Sequence, residues 1–172
     1  IYTTDRMADA DSLAKNPFDR SNNMQIGNSK QLNAYGEAQL ELPLNDRMRF
    51  YVTGMYSYRK GKAAGFYRYP RQTAQVVLAL YPRGFLPQIE STIHDKSVIA
   101  GIKGKTASNW NWDLSSTWGG NSFRFDVSNS NNASMGTASP TEFYCGKLAF
   151  MQSTTNFDVS KDFGSKLHLQ SF

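Results

Sequence analysis

The chain is short of the residues that build a disulfide scaffold or a metal enzyme. Its 172 residues include one cysteine, Cys145, and two histidines, His94 and His168. A single cysteine excludes an internal disulfide framework. No stretch approaches the roughly 18 charge-free apolar residues of a membrane helix, so spanning by helices is excluded. The first residues, Ile1-Tyr2-Thr3-Thr4-Asp5, are neither a start methionine nor a signal peptide. The length allows one ordinary domain with one core, yet this beginning leads us to expect a piece of something longer. Acid is missing from one interval: no Asp or Glu lies between Asp46 and Glu90. That interval holds eight cations, Arg47, Arg49, Arg59, Lys60, Lys62, Arg68, Arg71 and Arg83. The other eleven cations are outnumbered by the fourteen acids, although the whole chain carries +5. A segment of one sign makes a local positive field that attracts anionic ligands or surfaces. Its plainer reading is a solvated basic loop.

What the chain does have is a period of two. Residues 1–31 read as loop, with one helical turn at Ser12-Leu13-Ala14-Lys15 capped by Asp9 or Asp11 and stopped by Pro17. From Leu32 the side chains alternate. Leu32, Ala34, Gly36, Ala38, Leu40, Leu42 and Leu44 share one face; Asn33, Tyr35, Glu37, Gln39 and Glu41 share the other. After a tight turn at Asn45-Asp46 the pattern resumes with Met48, Phe50, Val52, Gly54, Tyr56 and Tyr58 opposite Arg47, Arg49, Tyr51, Thr53, Ser57 and Arg59, Met55 being the apolar exception. A third run covers about 93–106, with Val98, Ala100, Ile102 and Gly104 on its apolar side. A turn at Ala107-Ser108-Asn109 leads to a fourth, where Trp110, Trp112, Leu114, Ser116 and Trp118 face away from Asn111, Asp113, Ser115, Thr117 and Asn121. A fifth run ends near Ser160, with Met151, Ser153, Thr155, Phe157 and Val159 on its apolar side. A turn at 161–165 opens a sixth run, Lys166-Leu167-His168-Leu169-Gln170.

The connections alternate too. Those near 45, 108 and 163 are short; those over 60–92 and 124–146 are long, the first containing Val76-Val77-Leu78-Ala79-Leu80, which is expected to form a short helix. Strands of about ten residues, apolar on one face, with short turns at one end and long loops at the other, describe a transmembrane β-barrel. Backbone groups in lipid must all be paired, so spanning strands must close on themselves. Trp110, Trp112, Phe157 and Phe163 lie beside the short turns, where an aromatic girdle belongs, and Tyr56 and Tyr58 would serve the other girdle. The alternative is a soluble antiparallel sandwich that binds carbohydrate, which also alternates. It would need a second sheet over Leu40, Leu42, Phe50, Val52 and Trp112, and it gives no reason for loop asymmetry.

No catalytic constellation is legible, and we expect no enzyme. His94 near a loop end and His168 on a polar face read as lumen or rim hydrogen-bonding residues, because a metal site would need a cluster at proper spacing. Asp9-Ala10-Asp11 is too short for a calcium loop. Cys145 reads as an unpaired loop thiol, and Asn132-Ala133-Ser134 is a glycosylation sequon by letter only. The binding candidate is the basic aromatic loop: Arg59, Lys60, Lys62, Phe66, Tyr67, Arg68, Tyr69 and Arg71. Arginine grips carboxylates in bidentate fashion, and Tyr and Phe offer rigid amphipathic surface. This mixture suits an anionic chelate or an acidic glycan; the alternative is packing on neighbouring loops or contact with lipopolysaccharide phosphates. No nucleic-acid-binding module motif accompanies it.

Several stretches also resemble a known family. They are Asn16-Pro17-Phe18-Asp19-Arg20-Ser21-Asn22-Asn23-Met24-Gln25-Ile26-Gly27-Asn28-Ser29, Arg59-Lys60-Gly61-Lys62-Ala63-Ala64-Gly65-Phe66-Tyr67-Arg68, Leu80-Tyr81-Pro82-Arg83-Gly84-Phe85-Leu86-Pro87 and Gly120-Asn121-Ser122-Phe123-Arg124-Phe125-Asp126-Val127. With Thr141-Glu142-Phe143-Tyr144 and Thr154-Thr155-Asn156, they resemble the β-barrel domain of TonB-dependent outer-membrane receptors of the Bacteroidetes type. The resemblance implies a 22-stranded antiparallel barrel with a plug domain in its lumen, of which about six strands are present here and the plug is not. It implies location in the bacterial outer membrane, with membrane lipid and lipopolysaccharide around the barrel. It further implies active uptake of a scarce nutrient such as a ferric siderophore, energised by the TonB-ExbB-ExbD complex through the plug, or import of an oligosaccharide in the SusC-like manner with a surface lipoprotein as partner. No cofactor is implied. Such a fragment alone would leave two sheet edges and an apolar face uncovered.

Overall fold

A computed structural model describes residues 23–27 and 29–161. The expected helical turn near Ser12, the Asp9 and Asp11 pair, Phe163 and the sixth run with His168 lie outside them. The protein is all-β. Its strands are β1 (Lys30–Asn45), β2 (Met48–Ala64), β3 (Gln88–Lys105), β4 (Trp110–Ser128) and β5 (Glu142–Lys161), joined in one antiparallel sheet in the order β1-β2-β3-β4-β5. The only helix among the described residues is a 3-10 segment, Ala133–Ala138. No described helix is long and apolar enough to cross a membrane.

The strands run 16 to 20 residues, longer than the alternation alone marks. The two long connections shrink accordingly, from 60–92 to 65–87 and from 124–146 to 129–141. The reason is that apolar alternation reports only where one face is apolar. Past Tyr58 both faces of Arg59–Ala64 are polar or small, and in Gln88–Ile93 only Ile89 and Ile93 are large and apolar, so the strands continue there without an unbroken apolar signal.

By its contacts the chain divides into two compact units. One, the turn unit, comprises Ala34–Tyr58, His94–Ser122 and the described residues from Ala149 onward; the other, the loop unit, comprises Arg59–Ile93 and Phe123–Leu148 together with the described residues up to Asn33. In the turn unit each face is defined by contacts. On the polar face Tyr51 donates to Asp113 (2.8 Å), the Lys103 ammonium lies 5.3 Å over the Tyr51 ring, and Glu41 accepts from Arg49 (3.0 Å) and Lys103 (3.1 Å). Gly101 is necessary there, because a Cβ would come within 2.5 Å of the Tyr51 ring. On the apolar face Trp112 covers Gly104, Met151 and Lys96 flank Gly120, and Lys161 sits 5.0 Å over Trp110. Leu40, Leu42, Trp118 and Phe157 are exposed on this face, and among the described residues no second sheet covers them. Local chemistry closes the turns: Asn45 Oδ1 accepts from the Arg47 amide at 2.9 Å, and Asn109 takes φ 60°, which asparagine tolerates.

Candidate functional site

The buried hydrophobic side chains of the described residues are Tyr67, Val76, Phe85 and Leu86, and all belong to the loop unit. The 65–87 connection starts as a continued hairpin: Gly65 donates to Pro87 O (2.8 Å), and Arg68 and Phe85 exchange backbone hydrogen bonds at 2.8 and 3.0 Å. Gly84 makes that approach feasible. Its φ is +79°, and a Cβ would fall 2.1 Å from Arg68 O. The expected helix at Val76–Leu80 is absent; single turns replace it, closed by Val76 N to Gln72 O (2.9 Å), Leu80 N to Val77 O (3.0 Å) and Tyr81 N to Val77 O (2.9 Å). The Val77 N–H explains the break: it donates at 3.2 Å to Asn131 Oδ1, a partner outside any local helix.

Asparagine amides stitch the second connection to the first. Asn131 Nδ2 donates to Gln75 O (2.9 Å), Asn129 Nδ2 to Leu86 O (2.8 Å), and the Tyr81 hydroxyl to Ser130 O (3.2 Å). Burial pushes the Tyr81 pKa up, so this donor stays protonated. Asn132 caps the 3-10 segment, accepting from the Ser134 amide (3.1 Å) and hydroxyl (2.6 Å), so the sequon is here a capping element. Cys145 lies in β5 rather than in a loop and is exposed. Beside it the alternation of β5 slips by one residue, since Met151 shares a face with Gly120 and Tyr144 with Arg124. Gly146, at φ 122°, accommodates the slip.

The stitched loops and the adjoining strand ends leave a cavity of about 680 Å³ lined by Arg68, Ala74, Gln75, Phe85, Val127, Ser130 to Ser134, Phe143, Tyr144 and Cys145. It offers one guanidinium, several amides and hydroxyls, and aromatic rings. It can hydrogen-bond a polar solute and stack against its flat parts.

Of the residues expected to bind, Arg68 alone lines this cavity. Tyr67 is buried and its hydroxyl donates to Arg83 O at 2.5 Å, a structural role. Tyr69 meets the Tyr67 ring edge-on at 5.2 Å, and Arg71 stacks on Tyr69 at 5.4 Å. Lys62 is engaged by Glu90 (2.8 Å), which also accepts from Ser128 (2.7 Å). Phe66 is 86% exposed, and Arg59 and Lys60 lie on exposed positions of β2. The cavity residues that sequence reading missed are Asn131, Asn132, Ser134, Phe143 and Tyr144. Asn132 and Ser134 stood out only as a sequon and Phe143-Tyr144 only through the family resemblance, and neither signal pointed to a cavity. His94 belongs to the turn unit, inside β3 on the apolar face, where its Nδ1 is 2.6 Å from the Tyr56 hydroxyl and its ring 5.2 Å from that of Tyr58. No protein-family model, curated protein or solved structure matches this chain.

Proposed function

We propose that the chain is part of the β-barrel of a TonB-dependent outer-membrane receptor that takes up a scarce solute. One observation carries this reading: the apolar face of the turn unit is a charge-free band with a cation at each border. Among its described residues the charged ones on that face are Lys96 and Lys161. Lys161 lies over Trp110, and Lys96 lies beside Gly120, ten positions along β4. Ten residues at about 3.3 Å each, tilted by about 45°, rise about 23 Å. The apolar band of outer-membrane barrels is about 25 Å tall. Trp110, Trp112 and Phe157 mark one border and Tyr56, Tyr58 and Trp118 the other, as interfacial girdles do. The opposite face, with Glu41, Arg49, Lys103 and Asp113, suits a water-filled lumen.

In this reading five or six strands belong to a larger closed barrel, the lipid and lipopolysaccharide of the outer membrane surround it, and the TonB-ExbB-ExbD complex supplies energy through a plug. The long loops capture the solute and no bond is made or broken. Arg68, presented into the loop cavity, supports an anionic solute such as a ferric siderophore. A second reading, a SusC-like oligosaccharide importer with a surface lipoprotein partner, draws on the rest of the lining, where amides, hydroxyls and rings outnumber the single cation.

The test is direct. The full-length protein is expected to require detergent, to give β-rich circular dichroism and to run as a heat-modifiable band; a monomer that is soluble without detergent overturns the reading. Arg68→Ala with Arg71→Ala is expected to weaken binding of a ferric siderophore about ten-fold, the loss of one charge-assisted hydrogen bond. Equal binding at low and high salt removes both residues from the site and favours the oligosaccharide.

A further inference from the structure

The apolar face of the turn unit is not smooth. A groove of about 910 Å³ runs across it, bordered by Gly36, Gly54, Tyr56, Lys96, Trp118 and Gly120. Missing side chains make it: a Cβ at Gly36 or Gly54 would meet nothing within 4 Å. Glu37, between Gly36 and Ala38, also contributes to the lining, and its carboxylate accepts from the Tyr35 hydroxyl (2.5 Å), both side chains belonging to the opposite face by alternation. Lys96 lies along it, its Cε 3.2 Å from where a Cβ on Gly120 would stand. Among the described residues no carboxylate pairs with the Lys96 ammonium.

We infer that this groove is a specific site for one phosphate-bearing lipid of the surrounding leaflet, with an acyl chain in the glycine-walled depression and the phosphate on Lys96. The inference rests on the barrel reading and goes beyond it, since a barrel needs only a generic apolar band. A lysine on an apolar face extends its stem over that surface and places its charge at headgroup level. There an unpaired ammonium meets anionic phosphate, each such contact being equivalent to about a five-fold change in binding. Gly120 is the positioning element, because any larger residue would displace the lysine stem. Tyr56 and Trp118, flanking the lysine, are the amphipathic rings that favour the same depth.

The experiment is native mass spectrometry of the full-length protein released from detergent in the presence of either phosphatidylglycerol or diacylglycerol. Wild type is expected to retain one phosphatidylglycerol about five-fold better than Lys96→Gln, with Lys96→Arg restoring retention. Gly120→Leu is expected to lose it as well, and added inorganic phosphate to leave it in place. Diacylglycerol should bind wild type and Lys96→Gln equally. Equal retention of phosphatidylglycerol by wild type and Lys96→Gln overturns the site, as does its displacement by inorganic phosphate. Failure of the barrel reading is separate: it would appear before any lipid is added, as a wild-type protein that needs no detergent and whose band does not shift on heating.

Discussion

The turn unit and the loop unit solve opposite problems with the same strands. In the turn unit large apolar residues such as Leu40, Leu42, Trp118 and Phe157 are exposed, Phe50, Val52, Ile102 and Trp112 are half-buried, and the polar face carries the connected groups Glu41, Arg49, Lys103, Tyr51 and Asp113. Among the described residues nothing covers the apolar face. The loop unit is self-reliant. It buries Tyr67, Val76, Phe85 and Leu86 and answers its backbone groups with asparagine amides. The lesson is that one sheet can leave apolar side chains uncovered along one stretch and bury them under its own loops along another. Exposure of a leucine is then meaningful only with the solvent named.

Substitutions can break this comparison. Phe85→Ala should have the largest effect. Removing a buried phenylalanine costs about 3–5 kcal/mol, more than a core of four side chains can lose and stay closed. Limited proteolysis of the full-length protein is expected to cut within 65–87 while the strands stay protected from hydrogen exchange; an uncut loop would mean that the small core does not hold it. Next comes Leu40→Arg, in the middle of the charge-free band. A charge at that depth in a barrel costs about 2–4 kcal/mol, whereas Gln39→Arg on the polar face should cost little. Urea unfolding in lipid vesicles measures both, and equal costs for the two would remove the lipid assignment of the apolar face. Asn131→Ala should be milder, about 1–2 kcal/mol, since it leaves Val77 N–H and Gln75 O without their partner. Its expected signature is faster hydrogen exchange at Val77 with the strands unaffected. A global loss of stability would instead join the two units into one cooperative body.

Much of this was legible from spacing. The runs from Leu32 to Leu44 and from Trp110 to Trp118 announce strands, their faces and the position of their short turns, and each holds in the structure. The candidate site was legible only as an address. The interval rich in arginine and aromatic rings is loop only from Gly65 onward, since Arg59–Ala64 runs on as β2; Tyr67 went to the core and Lys62 to Glu90, leaving Arg68 to line the cavity. Nothing local distinguishes Tyr67 from Phe66, which is exposed, because burial there depends on Leu86 folding back across some twenty residues.

By itself, then, the sequence determined what a period of two can encode: the strands and the two-sidedness of each. These are neighbour relations along a single strand, fixed by backbone pleat. Only the tertiary structure decided how far the strands run past the apolar band, that Val77 donates to Asn131 instead of starting a helix, and which basic residue faces a cavity. Those outcomes are hydrogen bonds and contacts between residues as many as 56 positions apart, and no local period carries them.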